Sequence, residues 1–333
     1  MHNNTQRKIN NGKIMLIVVI VFILFLAGCW GLIFSNETKK RETLIIADQF
    51  GMAYAPIEIM KQKGFLENAL LENGLDDIEI KWQKFGNTVA IREAMLSGSL
   101  DIGFVGIPPF LLALDNGMPW RIMTGLSESN VSLMTKDFEI ENFSDLTDKN
   151  RIILPQPGSI QHILLMMAAE KVFDDAHKFD DQLIALSHPD GVIAYTAGDD
   201  LQLHFTTPPF IQEDLKAAGS HEILNGRDAF GEDFTFIVGV CQESLYSDTL
   251  IYQSFMIALE EAISYINESP EEAYFILSEN YDYSQDEIKK YLQRDQMYFS
   301  TEVKGIEKFI SFMKSSDQLK GSYSSESLFW VNK

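Results

Sequence analysis

The side chains best suited to binding a small molecule occur in short loops, and each loop follows an apolar stretch of strand length. These loops contain hydroxyl, carboxamide, imidazole and aromatic groups but no lysine or arginine, which argues against a strongly anionic ligand held by salt bridges. Backbone amides can still hold a sulfonate, so the charge of the ligand stays open. The predicted ligand-binding residues are Gln49, Phe50, Tyr54, Gly106, Ile107, Ser127, Ser159, His162, Thr206, Thr207, Phe210 and Asp228.

The hydroxyl groups in these loops each have two interpretations. Ser159 precedes an apolar helix predicted over residues 160–173, where the unpaired first amides and the helix dipole favour an anionic oxygen. The same serine is also an ordinary N-cap residue. Thr206 and Thr207 likewise either contact a ligand or cap the helix that follows them.

The aromatic residues differ in how well they suit a ligand-binding wall. Phe50 and Tyr54 lie in a glycine-containing loop, where an aromatic ring has little reason to be buried elsewhere. Phe110 and Phe210 fall in the first turn of a helix, a place where phenylalanine belongs to the core more often than to a ligand wall.

Metal-binding and catalytic patterns are missing from the sequence. The six histidines are scattered without a His-x-His or His-Glu-x-x-His spacing, which favours a structural role for His162 and His204. Asp48 and Glu128 either attract a cationic group or satisfy loop amides. The chain has no Gly-x-Ser-x-Gly, P-loop or Gly-x-Gly-x-x-Gly motif, so we predict a protein without enzymatic activity, cofactor or metal.

Two stretches one hundred residues apart share the same sequence features. Each has an alanine, a glycine four residues later and a terminal Pro-Pro-Phe, in residues 94–110 and again in residues 194–210. Glycine suits the left-handed position after a helix, and proline suits the first turn of the next one. The duplicated order of helix, strand, loop and helix predicts two similar lobes.

The rest of the chain fits two alternating series of strands and helices, which imply parallel sheets with right-handed crossovers. The first series has predicted strands at 44–48, 78–82, 102–105 and 121–125, and the second at 151–154, 183–186, 201–205 and 221–224. A strand at 234–240 returns the chain to the first lobe, and the remainder is helical, with capping boxes at Ser269 and Ser284. We expect lobe one at 44–130 and 232–333, lobe two at 131–231, and two crossovers between them, as in a hinged clamp.

The composition is that of a globular protein with a strongly acidic surface. The 333 residues are 46% hydrophobic, and 48 acidic against 27 basic residues give a net charge of −21. Such a surface repels phosphates, which argues against a nucleic acid partner.

The N-terminus predicts export and membrane attachment. Basic residues precede the continuous apolar run 14–25, which is followed by Leu-Ala-Gly-Cys29. This ending resembles the lipobox of bacterial lipoproteins, which implies a signal peptide at 1–28, lipidation of Cys29 and a polar tether over 29–43. The alternative is an uncleaved anchor, because the apolar run 14–34 is long enough to span a bilayer. Both place the globular part on the outer face of the cell membrane.

Three motifs behind the lipobox-like sequence carry a family resemblance. The run Ile102-Gly-Phe-Val-Gly-Ile-Pro-Pro-Phe110, the loop 157–162 and His204-Phe-Thr-Thr-Pro-Pro-Phe210 resemble the solute-binding proteins of bacterial ABC importers. The resemblance covers about residues 43–315 and is strongest to the nitrate, sulfonate, taurine and thiamine-precursor group.

The resemblance implies an α/β, type II periplasmic-binding-protein fold, in which two parallel or mixed-sheet lobes enclose a ligand cleft. It also implies capture of a small organic molecule, such as a sulfonate, a nitrate-type anion or a thiamine-precursor-like compound, for delivery to an ABC permease and ATPase. A tethered enzyme or a ligand sensor on the same fold remains an alternative.

Overall fold

Two separate β-sheets organise the part of the chain that the structure describes. The computed structural model describes residues 41–197, 203–293 and 297–330, so the predicted signal peptide, Cys29 and nearly all of the tether lie outside the described residues. Residues from Thr43 onward form one compact unit. Within the described ranges, no helix has both the length and the apolar character needed to cross a bilayer.

The first sheet has six strands in the order β11-β4-β10-β3-β1-β2. Its strands are β1 (Thr43–Asp48), β2 (Glu79–Lys84), β3 (Ile102–Gly106), β4 (Trp120–Ser129), β10 (Ile237–Gln242) and β11 (Met297–Phe299). β1 pairs in parallel with β2 and β3, whereas β10 runs antiparallel to both β3 and β4. The first sheet is therefore mixed.

The second sheet has five strands in the order β7-β6-β8-β5-β9. Its strands are β5 (Ser132–Thr135), β6 (Ile152–Leu154), β7 (Leu183–Ala185), β8 (Leu203–Thr206) and β9 (His221–Asn225). β6 is parallel to β7 and β8, and β5 is antiparallel to β8 and β9. All the strands of this sheet come from one continuous segment, and the strands of the first sheet flank that segment in the chain.

Helices connect and cover the strands. They are α1 (Ala55–Lys63), α2 (Phe65–Glu72), α3 (Thr88–Leu96), α4 (Ile107–Asp115), α5 (Ile160–Phe173), α6 (His188–Ala197), α7 (Phe210–Asp214), α8 (Gly226–Phe230), α9 (Glu243–Tyr246), α10 (Thr249–Glu268), α11 (Pro270–Tyr281), α12 (Gln285–Tyr291), α13 (Ile306–Ser315) and α14 (Ser325–Leu328). We call each sheet together with its helices a lobe.

Local capping explains where several helices begin. The Asn87 side chain accepts a hydrogen bond from the Ala90 amide at 3.1 Å, which fixes the first turn of α3. Ser284 and Glu287 form the predicted capping box of α12. The capping box predicted at Ser269 is wrong, because its side chain makes no capping hydrogen bond; Pro270 begins α11 instead.

The core lies between the sheets and the helices that pack on them. β3 is buried along its whole length, and the apolar stripe of α10 includes the fully buried Phe255, whose ring centroid is 6.2 Å from that of Phe104. Phe110 is also fully buried and packs against Trp120, so it is a core residue rather than a ligand wall. The helix that follows Thr207, α7, is short and ends at Asp214.

Candidate functional site

A cleft lies where the carboxyl ends of parallel strands from both sheets face each other. Residues that end or follow β1, β2 and β3 line one side, and residues that follow β6, β7 and β8 line the other. The lining residues are Gln49, Phe50, Tyr54, Gly86, Thr88, Gly106, Pro109, Pro155, Gln156, Ser159, Ile160, Gln161, His188, Thr207, Phe236 and Ile237. Ligands of open α/β sheets bind at this edge, because the strand ends leave loops and helix N-termini there.

The cleft is narrow. About 520 Å³ of space lies between its walls and at its opening to solvent. The loops after β1 and β8 touch across it, where the Met52 amide donates a hydrogen bond to the Pro208 carbonyl at 3.2 Å. The space fits a small molecule and not a polymer.

Half of the predicted binding residues line this cleft. Gln49, Phe50, Tyr54, Gly106, Ser159 and Thr207 do so. Ile107, Ser127, His162, Thr206, Phe210 and Asp228 are not among its lining residues. Ile107 and Ser127 are buried, and the Asp228 carbonyl accepts a hydrogen bond from Lys171.

His162 does not line the cleft but hydrogen-bonds to the loop that precedes Ser159. Its Nδ1 accepts a hydrogen bond from the Gly158 amide at 2.9 Å, so its Nε2 carries the proton and donates to Asp180 Oδ1, also at 2.9 Å. Gly158 has a φ of 77° and immediately precedes Ser159. His162 therefore holds the loop that presents Ser159 to the cleft.

Thr206 and Phe210 both contact His188, a lining residue that was not predicted from the sequence. Thr206 Oγ1 lies 2.8 Å from His188 Nδ1, and the Phe210 ring stacks on the imidazole with centroids 5.3 Å apart. Gln161 Nε2 lies 3.3 Å from the other imidazole nitrogen. Burial, with a smaller contribution from His204, lowers the pKa of His188 to about 3, so this imidazole is neutral at physiological pH.

His204 belongs to a buried pair beneath His188. Its Nδ1 lies 2.7 Å from Asp214 Oδ2, and both side chains are almost completely buried. Burial raises the pKa of Asp214, while the hydrogen bond from His204 opposes this. In the described ranges, no group of three or more His, Cys, Asp or Glu side chains is placed to hold a metal ion.

Ser159 occupies the N-terminus of α5, the 14-residue helix whose start faces the cleft. Its Oγ accepts a hydrogen bond from the His162 amide at 3.3 Å, which makes it the N-cap. The amides of Ile160 and Gln161 have no acceptor in the described part of the chain, and both residues line the cleft. The two interpretations of Ser159 are thus compatible, because the cap leaves the first two amides unpaired.

Gln49 has a fixed orientation on the opposite wall. Its Nε2 donates to the Phe104 carbonyl at 3.0 Å and to Thr88 Oγ1 at 3.3 Å. Since a carbonyl can only accept, the nitrogen must face Phe104, and its two hydrogens are used. Oε1 is left as the polar atom of Gln49 for a bound molecule.

Two ionisable groups lie close behind this wall. Burial raises the pKa of Asp48 to about 6, although Lys84 Nζ, 2.9 Å from its carboxylate, opposes the shift. Burial also raises the pKa of the Tyr54 hydroxyl well above its usual value, with a further contribution from Asp48. Tyr54 is therefore protonated and can donate a hydrogen bond.

Sequence reasoning missed the lining residues that depend on how the sheets face each other. Gln156, Gln161 and His188 lie in or near loops that follow parallel strands. The rule that ligands bind at the carboxyl ends of such strands could therefore have identified them. Phe236 and Ile237 come at the start of the antiparallel strand β10, and a rule about strand ends cannot find them.

No protein-family model matches the sequence, and a search of curated proteins gives no significant match. Among solved structures, the alkanesulfonate-binding protein SsuA from Xanthomonas axonopodis pv. citri, bound to MOPS, superposes with a TM-score of 0.70 at 17% identity, covering 88% of this chain and 99% of the other. This chain has the periplasmic-binding-protein fold.

Two further structures agree with this assignment of the fold. The aliphatic sulphonate binding protein SsuA from Escherichia coli has a TM-score of 0.67 at 19% identity, covering 88% of this chain and 94% of the other. The nitrate-binding protein NrtA from Synechocystis PCC 6803 has a TM-score of 0.66 at 16% identity, with 86% and 84% covered. The predicted fold class is confirmed.

Proposed function

We propose that this protein is the solute-binding component of an ABC importer, which captures a small molecule between its two lobes. One observation carries the proposal: all the lining residues of the cleft except Phe236 and Ile237 end or follow six parallel strands, three from each sheet, as expected for a ligand site shared by two lobes. The SsuA and NrtA structures that share its fold are named as sulfonate- and nitrate-binding proteins, which supports binding as the activity.

The cleft offers hydrogen-bonding groups and aromatic walls but no catalytic arrangement that we can assign. The His204–Asp214 pair resembles part of a hydrolytic triad, yet it lies buried and neither residue lines the cleft. We therefore place binding ahead of the enzyme alternative. A ligand sensor has the same cleft and differs only in its partner.

The N-terminal sequence completes the proposal by placing the protein at the outer face of the cell membrane. Cleavage after Gly28 and lipidation of Cys29 leave the protein tethered beside its permease. Mass spectrometry of the mature N-terminus distinguishes an acylated Cys29 from an uncleaved apolar segment.

Solute binding is tested by thermal unfolding of the purified full chain with candidate solutes at 1 mM. A ligand that binds only the folded protein at a hundredfold excess over its Kd adds about 2.7 kcal/mol of stability, and the midpoint rises accordingly. Co-purification with a permease and an ATPase then separates an importer component from a sensor. Chemical turnover of a compound that binds would favour the enzyme alternative.

A further inference from the structure

The lining of the cleft carries no formal charge. None of its residues in the described part of the chain is Lys, Arg, Asp or Glu. His188 is the one imidazole among them, and its lowered pKa keeps the ring neutral. A bound anion would therefore lose its hydration without gaining a cationic partner, which is costly in a narrow cleft.

The nearest ion pair does not provide a cationic partner for a bound anion. Lys84 lies at the edge of the site, with its Nζ 5.9 Å from the centroid of the Phe50 ring, but the same nitrogen is paired with Asp48. It also donates to the Gln49 carbonyl at 3.3 Å. A solute that recruited Lys84 would leave a buried carboxylate without its counter-ion.

Hydrogen-bond donors come from the Tyr54 hydroxyl and from one helix N-terminus. The unpaired amides of Ile160 and Gln161 at the start of α5 face an acceptor on the solute. α4 also starts at the cleft, but Pro108 and Pro109 remove two of its first-turn amides, which weakens it as an anion site.

Hydrogen-bond acceptors come from two carboxamides. Gln49 has Oε1 left over, because its nitrogen is used by Phe104 and Thr88. Gln156 Oε1 is buried, and no group in the described ranges donates to it. A buried acceptor without a donor is unfavourable, and an N–H or O–H group on the solute would satisfy it.

We propose that the cleft selects an uncharged solute that presents both a hydrogen-bond donor and an acceptor on a small apolar or aromatic body. A carboxamide on a ring, or a heterocycle with adjacent N–H and C=O groups, has this chemistry. The Phe50, Tyr54 and Phe236 side chains supply apolar contacts for such a body. Donor-free anions such as nitrate and simple alkanesulfonates leave the carboxamide oxygens unsatisfied. This inference rests on the proposed function and narrows it.

Four probes test the inference on the purified full chain by calorimetry and thermal unfolding: nicotinamide, uracil, sodium nitrate and sodium ethanesulfonate. We expect nicotinamide or uracil to bind at least about tenfold more tightly than either anion, which corresponds to about 1.4 kcal/mol. Tighter binding of nitrate or ethanesulfonate overturns the inference while leaving the proposed function intact. If none of the four binds while another solute of the thermal-unfolding set does, the inference is contradicted and the proposed function stands.

A matched pair of variants then tests the role of Gln156. Gln156→Leu removes the unpaired acceptor and should weaken binding of the better neutral probe by about fivefold to tenfold, the effect of losing one hydrogen bond. Gln212→Leu is the control, because Gln212 Oε1 is also buried and unpartnered among the described residues but lies outside the cleft. Equal affinities of the Gln156→Leu variant and the wild type would contradict the assignment of Gln156, and the Gln212→Leu variant should bind as the wild type does.

Discussion

Asp48 and Lys84 form an ion pair close behind one wall of the cleft, with 2.9 Å between the carboxylate and Nζ. Asp48 allowed two interpretations, attraction of a cation or satisfaction of loop amides, and its carboxylate instead pairs with Lys84, a residue outside the loops that were considered. The pair lies 36 residues apart in the chain, because parallel pairing of β1 with β2 places Asp48 beside Lys84. No local motif contains that information.

The raised pKa of Asp48 makes a prediction about stability. The folded state favours the protonated carboxyl of Asp48. The contribution of this group to the free energy of unfolding is therefore fully present below about pH 4 and is lost as pH rises through about 6. Asp48→Asn removes this loss. We expect the variant to gain roughly 1–3 kcal/mol of unfolding free energy relative to the wild type between pH 4 and pH 8.

Chemical denaturation of both proteins at pH 4, 6 and 8 measures this difference. Asp115→Asn is a control of opposite sign, since the hydrogen bond from Tyr323 lowers the pKa of Asp115. That variant should lose stability at pH 6 and pH 8 relative to the wild type. A constant difference between Asp48→Asn and the wild type across the pH range would show that folding does not shift the pKa of Asp48.

At the level of elements, the helices with strong local signals were predicted well. α5 spans the predicted residues 160–173, and the predicted capping box at Ser284 begins α12. β5 and β11 were missed, although the equally short β6, β7 and β8 were predicted, so strand length alone does not explain the difference. The loops at the cleft could be located, because ligands of parallel sheets bind at the carboxyl ends of the strands. Which side chains of those loops line the cleft could be predicted for only half of the chosen residues.

The loop before α5 is connected to the other lobe through a chain of side chains. His162 joins the Gly158 amide to Asp180, and Asp180 Oδ2 lies 2.7 Å from His177 Nδ1. His177 Nε2 in turn lies 3.1 Å from the carbonyl of Ser316, the residue that follows α13. Since His177 faces an acceptor on both nitrogens, only the imidazolium form satisfies both.

The pKa of His177 is accordingly raised, mainly by the hydrogen bond to Asp180. Acidic side chains face the same surface: His177 lies beside Glu170, Asp174, Asp175 and Asp317. The stabilisation from the imidazolium is present below about pH 6.5 and is lost as pH rises through the raised pKa. His177→Gln should lower the unfolding midpoint by at most about 2 °C at pH 6, because the group is half-exposed, and by nothing measurable at pH 9.

Unfolding scans of the wild type and the His177→Gln variant at pH 6, 7.5 and 9 test this effect. If the difference between the two midpoints grows toward alkaline pH, the imidazolium does not join the lobes. The Glu170→Gln variant is a useful companion, because it removes a neighbouring charge without touching the hydrogen-bond chain.

For the whole molecule, the central question is how a solute reaches a cleft whose walls already touch. Contacts between the lobes include the Met52 amide with the Pro208 carbonyl, and a Cβ built on Gly158 would come within 2.5 Å of Leu112 Cδ1. Because these contacts join the two walls, we expect the lobes to separate when a solute enters. Binding that occurs only when the lobes close again ties affinity to the population of the closed form.

A cross-link at the mouth of the cleft tests whether opening is required. A Cβ built on Gly86 lies 3.9 Å from Ser187 Cβ on the opposite lobe, within the range that a disulfide spans. The Gly86→Cys/Ser187→Cys double variant should therefore oxidise to a locked form. We expect association and dissociation of the better neutral probe to slow by at least about tenfold in that form, and reduction to restore both rates, because the lobes can separate only when the bond is broken. The two single variants control for the substitutions themselves, and unchanged exchange in the locked form would mean that the solute enters by a path that needs no separation of the lobes.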